Sequence, residues 1–404
     1  MWGKEEKVFR EILQIFSPYP AWVVGGAIRD ILQGHVPKDI DLVVQAPPDQ
    51  LIKRGGVPVD PRTGIPVFKF QFKDFSVEVA LPRRERKIGP GYKGFAFETG
   101  PDISLLEDLS RRDFTINAMA IDSHGNIVDP FGGQKDLQEG ILRVVNPEAF
   151  KDDPLRVIRA ARFAAKGFRV DGETLALMQE VPAEEFRALP IERFTGELLK
   201  ALREPHPEAF IETLGMVPEA CRVFFPELIK AQEVPAGPQE HHPEGSLFNH
   251  IVQVVAKCTT IEGRFAALMH DMGKILTPRE QWPHHYGHDS LGAPLVREIC
   301  QRVKIPARLR DVAVLVCKEH MRATSPLRPG KLIDLAARVV RTGAEQALVE
   351  VCPADKPGVS LERLKRALEV VKIPGRNLGV SLNGTPEAIR QRILQRRIAL
   401  LEQR

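Results

Sequence analysis

The texture of the sequence changes near Pro154, and that change limits what the chain can fold into. Upstream, short β-branched and aromatic runs occur at residues 21–24 and 41–44, in the alternation Phe68, Lys69, Phe70, Gln71, Phe72, and in Val77, Glu78, Val79. Turns containing Gly, Pro or Asn separate them, so this part reads as strands mixed with helices. Downstream, apolar residues recur at helical spacing, as in Leu155, Ile158, Ala161 and Ala165, or Leu198, Leu199 and Leu202. Prolines at 182, 190, 205, 207, 226, 235, 238 and 243 cut this half into short helices. The expected class is α+β: a mixed sheet with helices, followed by an all-α remainder. At ~100–200 residues per domain, 404 residues suffice for about two to four domains. The stretch from Val234 to Gly245, rich in Pro, Gly and His, is the expected linker.

Composition excludes several classes. With 43% hydrophobic and 27% charged residues, the chain is not mostly disordered. No apolar stretch reaches the ~18–20 residues that span a bilayer, so no membrane partner is expected. The first residues, Met1-Trp2-Gly3-Lys4-Glu5-Glu6-Lys7, lack the apolar run of a secretory leader, and a cytoplasmic location is expected. Five cysteines, odd in number and never in a C-x-x-C pair, fit reduced thiols rather than a disulfide frame or a Cys-ligated zinc site. A net charge of +4 says nothing about nucleic acid, so any basic surface is local.

Asp39 and Asp41, two apart in a strand-like run, would share one face at roughly 7 Å spacing along the chain. Such a pair repels itself unless a divalent cation intervenes, and hard oxygen ligands suit Mg²⁺. Two metals held this way can activate a hydroxyl and neutralise a triphosphate leaving group. Taken alone, the pair reads equally as a solvated strand end. Upstream, Gly25 and Gly26 lie between a strand and a helix start carrying Arg29, an arrangement that offers backbone N–H groups to an anion; a plain tight turn has the same pattern. Glu78 is a candidate third carboxylate, or an exposed edge-strand glutamate.

The run Gly25-Gly26-Ala27-Ile28-Arg29-Asp30 followed by Lys38-Asp39-Ile40-Asp41-Leu42-Val43-Val44 resembles the signature of the polymerase-β nucleotidyltransferase superfamily. More narrowly, the chain resembles the bacterial CCA-adding enzymes, the tRNA nucleotidyltransferases that rebuild the tRNA 3′ end. Three later runs match that family's next motifs in order and spacing: residues 107–118 (from Glu107-Asp108 through Arg111-Arg112-Asp113 to Asn117-Ala118), 129–133, and 152–163. The family's usual Glu-Asp pair is Asp152-Asp153 here.

Read from its residues, Asp153-Pro154 is a helix start. Asp153 and Arg156 are neighbours on the helix surface, as are Arg159 and Arg162. The first pair offers acceptors and a fork of donors matching the edge of a cytosine or adenine; the second suits phosphate oxygens. A capping aspartate and a salt-bridged helix face would look the same. The resemblance implies that Asp153 and Arg156 act as an amino-acid template selecting CTP or ATP, and that Arg112, Arg159 and Arg162 hold the nucleotide. The basic run from Arg83 to Gly94 reads as a loop, similar in position to the one that CCA-adding enzymes use to switch from C to A addition.

In the second half, His270 and Asp271 end an apolar helix, with His250 upstream and His284, His285, His288, His320 and Asp355 downstream. Imidazole and carboxylate without thiolate suit Mn, Ni, Co or Zn. The series His250, His270, Asp271, Asp355 resembles the HD phosphohydrolase pattern, in which those four bind a metal, with His288 and His320 auxiliary. The chain is similar to the long, multifunctional form of the CCA-adding enzyme, in which an HD domain has phosphatase, 2′-nucleotidase and 2′,3′-cyclic phosphodiesterase activity; a degenerate, structural HD domain is the alternative. The resemblance implies four segments: a nucleotidyltransferase head (1–145), a helical neck and body that selects nucleotide and binds tRNA (146–233), an HD domain (234–360) and a helical tail (361–404). It also implies template-independent addition of C, C and A from CTP and ATP onto the tRNA 3′ end, with Mg²⁺ at Asp39 and Asp41 and a transition metal at the HD residues; whether the chain is a monomer or a homodimer is not set by the sequence. Poly(A) polymerase, a partial A-adding or CC-adding enzyme, and an HD phosphohydrolase with a merely nucleotide-binding N-terminal half are the alternatives.

Overall fold

The computed structural model describes residues 3–37, 39–59, 66–72, 75–87 and 95–403, and their contacts group into two compact units, Met1–Leu189 and Pro190–Arg404. The first unit is organised by a seven-stranded mixed sheet. Its strands are β1 (Ala21–Val24), β2 (Asp41–Val44), β3 (Val57–Pro58), β4 (Val67–Phe72), β5 (Phe75–Ala80), β8 (Ala120–Ile121) and β9 (Ile127–Val128), in the order β3-β4-β5-β2-β1-β8-β9. The β2–β5 pair is parallel and the other neighbours are antiparallel. Residues opposite one another in register point to the same face. One face therefore carries Leu42, Val23, Val79 and Phe68, all buried; the other carries Trp22, Val24, Val43, Asp41 and Glu78. On this second face Val24, Val43 and Ala120 form an apolar cluster with Leu109 and Ala118, joined by Trp22, Leu105 and Phe131. That cluster ends where Asp41 and Glu78 begin.

Two expectations are corrected in this unit and one in the next. The run from Arg83 is not a loop at its start. Arg83–Lys87 is a strand, β6, paired antiparallel with β7 (Phe95–Thr99), while residues 88–94 lie outside the described residues. The charges that suggested a solvated loop are used across the strands, because Arg84 pairs with Glu98 (3.1 Å) and with Glu107. Nor is the chain helical without relief after Pro154: β11 (Arg169–Val170) pairs in parallel with β10 (Ile141–Leu142).

The second unit is helical. The stretch Val234 to Gly245 lies inside it and is not a linker. The loop closes on itself through Ala236 N–H to Gly245 O (2.9 Å) and Leu247 N–H to Val234 O (2.7 Å), burying Val234 and Ala236. Its prolines and glycines set a compact turn, and buried side chains satisfy its carbonyls: Lys274 donates to Ala236 O (2.6 Å) and His285 Nε2 to Pro235 O (2.8 Å). Among the described residues, no helix is long and apolar enough to cross a membrane.

Candidate functional site

Asp41 opens β2, and its register partner on β5 is Glu78, so the two carboxylates stand side by side on the face where the apolar cluster stops. Asp39 lies two residues before β2 rather than on the strand expected for it. Partial desolvation raises the Asp41 carboxyl above its ordinary value, opposed by Arg112 and reinforced by the like charges of Glu78 and Asp39. A group kept uncomfortable by two neighbouring carboxylates is one that a hard divalent cation would relieve, and the oxygen-only donor set fits Mg²⁺. Among the described residues, these three do not close into a cluster with all ligand atoms within 4.8 Å.

Beside them, Val24 ends β1 and leads into Gly25, whose φ of 74° and ψ of −132° suit glycine. A β-carbon at Gly25 would also meet Arg112 Nη1 at 3.0 Å, so the guanidinium lies over this turn.

One short segment holds most of the candidate arginines. Asp108, fully buried, accepts from Arg111 Nη2 (2.6 Å) and Arg112 Nη2 (3.1 Å). Burial alone would raise its carboxyl, but the two guanidiniums outweigh that and lower it. Five residues on, Asp113 accepts from Arg159 Nε (2.8 Å) and Nη2 (2.7 Å) and from Asn117 Nδ2 (2.9 Å). Burial again opposes ionisation, yet Arg159 and Asn117 bring this carboxyl down to about 2. Asn117 Oδ1 in turn accepts from Arg29 Nη1 (2.7 Å). Arg156 Nη2 donates to the Arg111 carbonyl (2.6 Å). Thus Arg29, Arg112, Arg156 and Arg159 are all oriented by residues 108–117. Arg162 has a different setting, 4.9 Å from the Phe163 ring centroid, with Arg29 5.4 Å from the same ring.

A cleft of about 230 Å³ lies among Arg84, Glu107, Arg111, Asn146, Asp152 and Arg156. Of the Asp152-Asp153 pair, Asp152 is the one that lines it. Asp153 instead accepts from Leu155 N–H (3.1 Å) at the start of the Leu155–Ala165 helix.

In the second unit, five helices bring their ends to one point. His250 comes from the first turn of Leu247–Lys257, His270 caps Ile261–Met269, His288 opens His288–Arg302, His320 lies in the last turn of Ala307–Ala323, and Asp355 ends Glu345–Asp355. The expected quartet His250, His270, Asp271 and Asp355 converges with all ligand atoms within 4.8 Å of one another. His250 Nε2 lies 3.1 Å from Asp355 Oδ1, and His270 Nε2 3.3 Å from Asp271 Oδ2. Burial pushes His270 down, but Asp271 and Asp355 outweigh it and push it up to about 10, while His270 and Lys274 hold Asp271 well below the carboxylate range against its burial. Buried carboxylates that hold a proton on an imidazole are equally suited to hold a metal in its place. His270 Nε2 is buried without a hydrogen-bond partner, an orphan that an ion would satisfy.

Several participants escaped the sequence reading. Glu244 accepts from His250 Nδ1 (2.8 Å) and from His242 Nδ1 (2.9 Å), orienting the first ligand from the supposed linker. The acidic and histidine content of residues 240–244 was the available signal. Lys274 Nζ lies 2.6 Å from Asp271 Oδ2. Gly273 has room for no β-carbon, since one would sit 1.9 Å from His288 O; that close approach delivers His288 to the cluster.

Residues 21–143 match the family model of the Poly A polymerase head domain, and residues 247–342 that of the HD domain. The multifunctional CCA protein of Nitrosococcus oceani is 40% identical over 403 residues, 95% of this chain and 98% of that protein. That of Pasteurella multocida is 44% identical over 361 residues, 83% of each. Among solved structures, the Thermotoga maritima CCA-adding enzyme complexed with tRNA_CCA has a TM-score of 0.64 at 21% identity, over 98% of this chain and 91% of that one, a likeness of fold.

Proposed function

Since the chain belongs to the family of multifunctional CCA proteins, we propose that it adds C, C and A to the tRNA 3′ end from CTP and ATP in its first unit, and hydrolyses phosphoester ends, including 2′,3′-cyclic phosphates, in its second. In each addition the terminal 3′ hydroxyl attacks the α-phosphorus, a P–O bond forms, and pyrophosphate leaves. Asp39 and Asp41, with Glu78 beside them, are the residues that would hold Mg²⁺, which supplies a more nucleophilic hydroxyl and neutralises charge on the leaving group. Arg29, Arg112, Arg159 and Arg162 bind the triphosphate, and the Gly25-Gly26 turn brings backbone close to it. Arg156 and Asp153 present donors and acceptors to the base, and Asp152 in the adjoining cleft adds a second carboxylate to that edge. The observation that carries this reading is the Asp41–Glu78 pair standing next to Arg112 and the arginine set ordered by residues 108–117.

For the hydrolytic reaction, His250, His270, Asp271 and Asp355 would hold a transition metal suited to imidazole. His270 and Lys274 hold the Asp271 carboxyl below its ordinary value, and Glu244 orients His250. Supplying the protein with tRNA lacking its CCA end, with CTP alone, ATP alone or both, tests the addition reading. Two C residues, then one A, then arrest are expected. A run of A with ATP alone indicates a poly(A) polymerase, and no extension indicates a hydrolase.

A further inference from the structure

The loop of residues 278–287, just ahead of the His288–Arg302 helix, displays two side chains that neither the core nor the hydrolytic centre uses. At its middle His285 is buried with a φ of 50°, a left-handed backbone that a residue with a β-carbon holds only when its surroundings fix it. They do: its Nδ1 lies 2.7 Å from Thr277 Oγ1, and its Nε2 donates to Pro235 O at 2.8 Å. Gly287 is left-handed as well, with a φ of 73°. With His285 drawn inward, its neighbours His284 and Tyr286 are both exposed. Their rings stack, with centroids 5.7 Å apart and planes 16° from parallel. Tyr286 is 70% exposed, and among the described residues it is the one aromatic ring among the large exposed apolar side chains. A ring so open to water adds nothing to the core, and backbone strain held beside it is characteristic of a ligand site.

This platform adjoins the hydrolytic centre. The His285 carbonyl, bonded to the Tyr286 nitrogen, accepts from His288 Nδ1 (2.9 Å), and His288 Nε2 lies 3.1 Å from Asp271 Oδ1. One imidazole and one peptide group therefore separate the Asp271 carboxylate from Tyr286. Among the side chains gathered there, Asp355 and His288 keep the most exposure, at 14% and 9%, so the centre opens on their side. Leu291, one turn further along the helix that His288 opens, is 41% exposed and adds apolar surface beside it.

Resting on the phosphohydrolase reading above, we propose that Tyr286, backed by His284, is a stacking platform for the base of a nucleotide whose phosphate lies at the His/Asp centre. The site then selects a ribonucleoside 2′-phosphate or 2′,3′-cyclic phosphate over a phosphoester that has no base. In such a compound one ribose separates phosphorus from base, matching the one imidazole and one peptide between the carboxylate and Tyr286. An open π-face takes purines and pyrimidines alike, so the platform senses that a base is present and not which base it is.

The test has two readouts on the full chain. In the first, with chelator and no metal, 2-aminopurine riboside 2′-phosphate reports stacking directly, because its emission is quenched against an aromatic ring. Quenching is expected in the unaltered protein and in Tyr286→Phe, and its loss in Tyr286→Ala and Tyr286→Leu; the leucine keeps apolar contact without a ring. Binding in the first unit is common to every variant and cancels in the comparison. In the second, with Mn²⁺ or Ni²⁺, kcat/KM for 2′,3′-cyclic AMP is divided by that for glycerol 1,2-cyclic phosphate, which has no base. That ratio should fall about five- to a hundredfold in the alanine and leucine variants, through KM, and return in Tyr286→Phe, the range of one base–aromatic stack. No quenching in the unaltered protein, equal quenching in every variant, or an unchanged ratio overturns the platform and leaves the hydrolase reading intact. If the unaltered protein hydrolyses neither compound, the hydrolase reading fails and the quenching decides the platform by itself.

Discussion

Arg156 and Arg162 lie six residues apart on one helix and meet different surroundings. Arg156 reaches the Arg111 carbonyl and lines the cleft with Asp152, whereas Arg162 lies against the Phe163 ring. Removing Arg156 takes donors away from the base edge. Arg156→Ala should therefore lose about ten- to a hundredfold of the preference for CTP and ATP over UTP and GTP, the scale of one bidentate base contact at about 1–3 kcal/mol. Arg162→Ala should raise KM for every nucleotide alike. Steady-state kinetics with all four triphosphates separates them, and identical profiles for the two variants would remove the base-reading role of Arg156. At this scale the residue types were legible in the sequence, because short motifs keep their chemistry whatever the fold around them. Placement was less so. The break between Ala149–Asp152 and Leu155–Ala165 was announced by Asp153-Pro154, but not that Asp153 would turn back to the Leu155 N–H while Asp152 lines the cleft.

At the scale of elements, the segment from Asp108 to Asn117 does more than its length suggests. It contributes a short helix and a single turn, yet its two buried carboxylates and Asn117 orient arginines from three places in the chain. Asp113 ties this to stability. Its carboxyl is held at about 2 in the folded chain against an ordinary value of 3.8. A depressed value means that the stabilisation is present above pH ~4 and is lost as pH falls towards ~2, and the shift corresponds to about 2 kcal/mol. Asp113→Asn should destabilise the first unit at pH 7 by about 3–5 kcal/mol, since it also leaves Arg159 without its buried partner. Calorimetry at pH 7 and pH 3 checks this: the gap between variant and parent should narrow at the lower pH, and a constant gap contradicts the assignment. The same scale explains where sequence reading failed. Hydropathy sees Arg84 as charge and residues 234–245 as breakers, but not that Glu98 and Glu107 pair with the one, or that Lys274 and His285 satisfy the carbonyls of the other. Both errors came from partners distant in sequence, whereas the strands β1, β2, β4 and β5 were readable because their signal, a β-branched run or an alternation, is local.

For the whole molecule, the two sets of candidate residues fall in different compact units, the nucleotidyl-transfer set within Met1–Leu189 and the metal-binding histidines within Pro190–Arg404. Because the two sets lie in different compact units, each chemistry should survive loss of the other. The metals should differ as well, Mg²⁺ matching carboxylate oxygens and a borderline ion matching imidazole. A logic connects them: a 3′ end closed as a 2′,3′-cyclic phosphate has no free hydroxyl, and hydrolysis in the second unit supplies a step toward one that the first can extend. The most direct measurement assays both activities in two double variants, Asp39→Ala with Asp41→Ala and His270→Ala with Asp271→Ala, using tRNA lacking its CCA end for addition and RNA ending in a cyclic phosphate for hydrolysis. The first variant is expected to lose addition by more than tenfold and keep hydrolysis, and the second to lose hydrolysis and keep addition. If either variant loses both, or the unaltered protein hydrolyses nothing with Mg²⁺, Mn²⁺ or Ni²⁺, the account of two separate chemistries in one chain is contradicted.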